Sequence, residues 1–165
     1  CPMPWKRLVS LDFLRKVAPE GRMVFLKDTC CDYELIRERL KAVEGTPLKI
    51  FNANAQSWYD SYCHGSAGYN GVMANFHPDL YKWAYDHKDS DPEKAQLVAH
   101  FLTTAAMIEM RAYPVSAKYH QNLVDVPMSL VTRSADAAKL DKNARGEVES
   151  LIAMENYVRK QLGIL

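Results

Sequence analysis

The chain has 165 residues, 48% of them hydrophobic and 25% charged, a balance that fits a globular domain with a real core and excludes a disordered one. Lys plus Arg total 21 against 20 Asp plus Glu, and the net charge of +1 gives no electrostatic reason to expect nucleic acid or an anionic membrane as partner. No apolar run approaches bilayer-spanning length, and the four cysteines, at 1, 30, 31 and 63, contain no C-x-x-C pair, so reduced thiols in a cytoplasmic protein are expected rather than a zinc site.

In chain order, Ser10 to Val17 puts Leu11, Leu14 and Val17 on one helical face. Met23-Val24-Phe25-Leu26 is a continuous apolar run ending at Lys27, and it predicts a short buried strand. Asp32 can cap a helix carrying Leu35, Ile36, Leu40 and Val43, ended by Gly45. Leu48 to Phe51, after Pro47, predicts a second strand ending at Asn52. Ala55 to Cys63 is short and aromatic and suits a helix. A glycine-rich turn from Gly65 to Asn70 leads to a third, weaker strand, Gly71-Val72-Met73-Ala74. The unbroken hydrophobicity of these runs predicts strands covered on both faces, as in parallel sheets.

Past Ala74 the strand signals stop. Asp79, after Pro78, opens a helix with Leu80, Trp83 and Ala84 on one side, and Asp91-Pro92-Glu93 starts another that reaches Arg111. Pro114 permits a helix closing near Leu123. Residues 127–134 read as irregular, with Leu130 and Val131 able to pack. A last helix runs from about Ala144 to Leu162, broken by Gly163. The expected order is therefore βαβαβα, then helices. Such units form a parallel sheet, either doubly wound or closed as a barrel.

Lys27 is the most informative position. A lysine at the carboxyl end of an apolar strand stands where α/β folds gather their active sites, and an amine relieved of solvation can attack a ketone. The alternative is a lysine that snorkels from a strand end into water. Asp28 is a neighbour that tunes it, caps a helix or is simply solvated. His77, before Pro78, has a possible site role, and the five histidines show no pair with metal-ligand spacing. Trp58, Tyr59 and Tyr62 suit helix packing better than base stacking.

Together these segments resemble the dihydrodipicolinate synthase / N-acetylneuraminate lyase family. Val24-Phe25-Leu26-Lys27-Asp28-Thr29 is similar to its sixth-strand K-[DEQ]-[ASTC] motif, and Ala67 to Asn75 to its eighth-strand A-G-x-D/N-G-[VI]-x-[SG] stretch. Ile50 to Asn54 falls where a seventh strand ends in a polar loop, and Pro114 to Lys118 is similar to P-[IV]-x-x-K in an added three-helix segment. The resemblance implies the C-terminal part of a (β/α)8 barrel, about strands six to eight, in residues 1–90, with a helical segment in residues 91–165.

It also implies a class I aldolase or lyase. Lys27 would form a Schiff base with pyruvate or a related 2-oxo acid, while Thr29, Ala53, Asn54 and Met73 would line the pocket, with neither cofactor nor metal. A homo-oligomer is implied as well. Ala53 and Ala55 depart from the family's usual glycine and carboxylate, which bears on the substrate. Cys1-Pro2 is similar to the end of a Y-x-x-P motif whose tyrosine would lie two places upstream. With that tyrosine and the amino-terminal half of a barrel absent, and no initiator methionine, the chain is expected to be a piece of a longer one and inactive alone. The competing expectation is a non-catalytic relative acting as a binding or regulatory protein.

Overall fold

A computed structural model describes residues 7–164; Cys1-Pro2 and the motif it would end lie outside the described residues. The described residues form two compact units, residues 7–71 with 85–96 and residues 72–84 with 97–164.

The first unit is built on a three-stranded parallel sheet: β1 (Phe25–Asp28), β2 (Lys49–Asn52) and the two-residue β3 (Gly68–Tyr69), in that spatial order. Lys27 lies opposite Phe51, and Phe51 opposite Gly68. Helix α1 (Leu11–Val17) starts where the Ser10 side chain accepts from the Phe13 amide, and α2 (Tyr33–Ala42) where Asp32 accepts from Leu35, each cap worth about 1 kcal/mol. Leu14, Ile36, Leu40, Leu48 and Ile50 close the core between these helices and the sheet, a burial of roughly 1.5–3 kcal/mol per large side chain. α3 (Trp58–Cys63) buries Trp58 against Tyr62, edge to face at 5.0 Å, so this aromatic cluster is packing.

Two expectations need correction. Val72–Asn75 is a 3-10 helix, and the third strand lies earlier, at Gly68–Tyr69. Its ladder is fixed by the Ala67 amide on Ile50 O and the Asn70 amide on Asn52 O. The strands are also not covered on both faces by the described residues. Leu26, Asp28, Ile50 and Asn52 face the helices, whereas Val24, Phe25, Lys27 and Lys49 are exposed and Phe51 is half-buried. A continuous apolar run hides that alternation because Phe25 and Phe51 stand on the open side with Lys27 and Lys49.

In the second unit, α6 (Val115–Leu123) packs on α7 (Lys142–Leu162), whose ends are set by Asp141 accepting from Ala144 and by Gly163 at φ 70°. Val115, Leu140 and Ala144 form a small core, joined by Leu130, while Val131 is exposed. Helices α4 (Pro78–His87) and α5 (Pro92–Ala105) each belong partly to both units. No helix among the described residues is long and apolar enough to cross a membrane.

Candidate functional site

Lys27 occupies the next-to-last position of β1 with its side chain exposed on the open face of the sheet. The strand end beneath it is held from several directions. Asp28 is buried, its carboxylate pairs with the buried Arg39 guanidinium of α2, and its other oxygen accepts from the Cys30 amide at 2.8 Å. Asp28 is thus neither solvated nor a helix cap. Arg39 also donates to the Val9 carbonyl, tying the segment before α1 to the same point. Burial, together with the Asp28 carboxylate, pushes the Cys30 thiol up to about 12, so this cysteine is no nucleophile at neutral pH.

Ala53 and Asn54 follow β2 directly. The Ala53 amide donates to Asp28 O at 2.9 Å, which brings the loop after β2 against the strand end that carries Lys27. The Asn54 carbonyl oxygen accepts from both the amide and the hydroxyl of Ser57, and its amide donates to Gln56, so this side chain shapes the loop. Buried Asn52 donates to Ser57 and Ser61. Thr29 is half-buried in the loop after β1, followed by Cys31 at φ 56°, a left-handed backbone that only glycine adopts freely. Lys27, Thr29, Ala53 and Asn54 therefore gather at the carboxyl ends of adjacent parallel strands. Met73 is fully buried and belongs to the second unit.

Sequence reasoning passed over Tyr33, whose hydroxyl donates to Gln56 O at 2.6 Å and joins the β1 and β2 loops. An aromatic residue just past a helix cap was the available signal. A cavity of about 440 Å³ opens at the amino-terminal end of β2, lined by Arg37, Lys41, Thr46 and His64. Binding in α/β folds gathers at the opposite, carboxyl ends, so it is the weaker candidate.

His77 is not a surface site residue. It is fully buried in the second unit, donating from Nδ1 to Glu155 Oε1 at 2.7 Å. His120 Nε2 donates to the same carboxylate at 3.0–3.1 Å, and Arg159 reaches it at 3.3 Å while making a double contact with Asp79 at 2.7 and 3.0 Å. Burial raises the Glu155 pKa, but the His120 and His77 hydrogen bonds and charges outweigh it and bring it down to about 2. Among the described residues no group of His, Cys, Asp or Glu is arranged to hold a metal ion.

A parallel sheet with helices on one face and a lysine at a strand end defines an α/β fold of the kind found in dihydrodipicolinate synthase family structures. The solved structures that it resembles include the 4-hydroxy-tetrahydrodipicolinate synthase of Methylacidiphilum fumariolicum SolV, at TM-score 0.76 and 13% identity over 93% of this chain and 51% of that one. YagE, a prophage protein of E. coli K12 in that family solved in complex with pyruvate, matches at TM-score 0.75 and 18% identity over 89% and 51%. The dihydrodipicolinate synthase of Oceanobacillus iheyensis matches at 0.73 and 17% over 90% and 51%. The chain thus spans about half the length of the solved structures it matches. No protein-family model and no curated protein sequence matches it.

Proposed function

We propose that this chain is the C-terminal part of a (β/α)8 barrel from a lysine Schiff-base aldolase or lyase, with residues 1–90 in the barrel and 91–165 appended as helices. The observation that carries the reading is the place of Lys27: an exposed lysine at the carboxyl end of a parallel strand, in a fold that matches about half of several dihydrodipicolinate synthase family structures. The phenyl rings on the open face agree with it. Barrel interiors are filled by side chains from all eight strands, and three strands cannot close a barrel. Five more would cover Phe25 and Phe51.

On this reading the Lys27 Nζ lone pair attacks the ketone carbon of pyruvate or a related 2-oxo acid. The carbonyl oxygen takes two protons and leaves as water, and the protonated C=N that remains draws electrons from the neighbouring carbon. That carbon then loses a proton or breaks its bond to an aldehyde. Thr29, Ala53 and Asn54 line the pocket, and the pyruvate bound to YagE supports a substrate of that class. The described residues leave Lys27 in solvent, so exclusion of water falls to the rest of the barrel.

Borohydride trapping with pyruvate tests this. The longer polypeptide that includes the upstream residues is expected to gain one reduced adduct, on the Lys27 peptide, abolished in Lys27→Arg. The 165-residue chain alone is expected to react slowly and substoichiometrically. An adduct on another lysine, or none, sinks the aldolase and favours a non-catalytic relative; rapid stoichiometric trapping by the short chain refutes the need for the other half.

A further inference from the structure

Two phenyl rings share the open sheet face with Lys27. Phe25 lies two residues before it on β1, and Phe51 is its partner across the ladder on β2. The two ring centroids are 4.8 Å apart, with the planes tilted by 37°. Ordinary packing would let the Phe51 side chain lean either way, but β3 settles where it goes. The residue opposite Phe51 is Gly68, and a Cβ there would lie 2.6 Å from ring atom Cε1 and 2.7 Å from Cδ1. The ring therefore occupies the slot that the missing side chain leaves. It is braced on one side by the β3 backbone and on the other by Phe25.

We propose that Phe51 is a positioning residue for the Lys27 amine, seated by Gly68, a role that rests on the Schiff-base reading above. Neighbouring strands stand about 4.8 Å apart, so a ring at the ladder position beside Lys27 walls the lysine's methylene stem. Phe25, two residues back on β1, and Phe51, opposite on β2, would keep the stem from lying back along the sheet. The amine is directed toward the strand ends, where Thr29, Ala53 and Asn54 gather. Small misplacements of a reacting group cost rate steeply, on the order of 100-fold for about 1 Å, so a wall of this kind acts on imine formation more than on substrate affinity.

The experiment has two arms. In the 165-residue chain, NMR of the lysine side chains is expected to show Lys27 methylene protons displaced by the ring current of Phe51. They move to the ordinary lysine position in Phe51→Ala and further from it in Gly68→Ala, which pushes the ring toward Lys27; the other lysines stay put. In the longer polypeptide, Phe51→Ala is expected to slow pyruvate trapping at Lys27 at least about tenfold with little change in pyruvate KM, and Phe51→Leu to restore most of the rate. Lys27 resonances that do not respond to Phe51→Ala overturn the proposal whatever the substrate. So does an unchanged trapping rate, or an equal loss in Phe51→Ala and Phe51→Leu that tracks lowered stability. A responsive Lys27 with no trapping in the wild type would leave the positioning intact and remove the Schiff-base reading instead.

Discussion

In the first unit Lys27 stands exposed on a sheet face that it shares with two phenyl rings, whereas in the second Glu155 is sealed from water with donors on both carboxylate oxygens. Each is an ionisable side chain, one exposed and one buried, and the two environments do opposite things. Around Glu155, two imidazoles and a guanidinium satisfy the charge and fix α4, α6 and α7 to one another. Around Lys27, hydrogen bonding among the described residues is carried by the backbone and by Asp28 beneath, and the amine is exposed. A buried charge that is fully paired holds structure together; an exposed one on a rigid strand end is placed for chemistry.

The contrast can be broken most severely at Glu155. Glu155→Ala leaves two buried imidazoles and part of Arg159 without their acceptor and is expected to cost about 3–5 kcal/mol in urea unfolding. A loss below about 1 kcal/mol would mean that the carboxylate is not the tie. Acid sharpens the same point. Because the folded pKa of Glu155 lies at about 2, below its ordinary 4.5, its contribution is complete above 4.5 and is lost as pH falls toward 2. The loss is on the order of 3 kcal/mol, and unfolding measured against pH should show that segment flattened in Glu155→Gln. At the other extreme, Lys27→Met removes an exposed side chain that strands no partner among the described residues, and its effect on stability is expected to stay within about 0.5 kcal/mol. A larger loss would show that Lys27 has a structural role and weaken its claim to a chemical one.

Much of the first unit was legible in the sequence. The apolar runs ending at Lys27 and Asn52 and the caps at Ser10 and Asp32 are local signals, and the strands and helices begin and end within a residue or two of them. The third strand was misplaced because two residues carry no periodicity; Gly68–Tyr69 is a strand through its ladder with Phe51 and Asn52, which is information from elsewhere in the chain. The Glu155 cluster was illegible for the same reason, since its histidines lie 78 and 35 positions away. One clue was present: Ala144, Val148 and Glu155 are all buried on α7 at helical spacing, so a lone carboxylate sits on an apolar stripe and must find partners. At the candidate site, sequence supplied the residue types but not Asn54's engagement with Ser57 or the slot at Gly68.

The tethering of Asp28 has a consequence for motion. Its carbonyl, its carboxylate and its guanidinium partner are all engaged, so the residue just after Lys27 is pinned to β2, to the loop and to α2. Amide hydrogens there should be among the slow ones to exchange in the first unit. Whatever movement the amine needs is left to the rotatable bonds of the side chain, a short mobile arm on a fixed post.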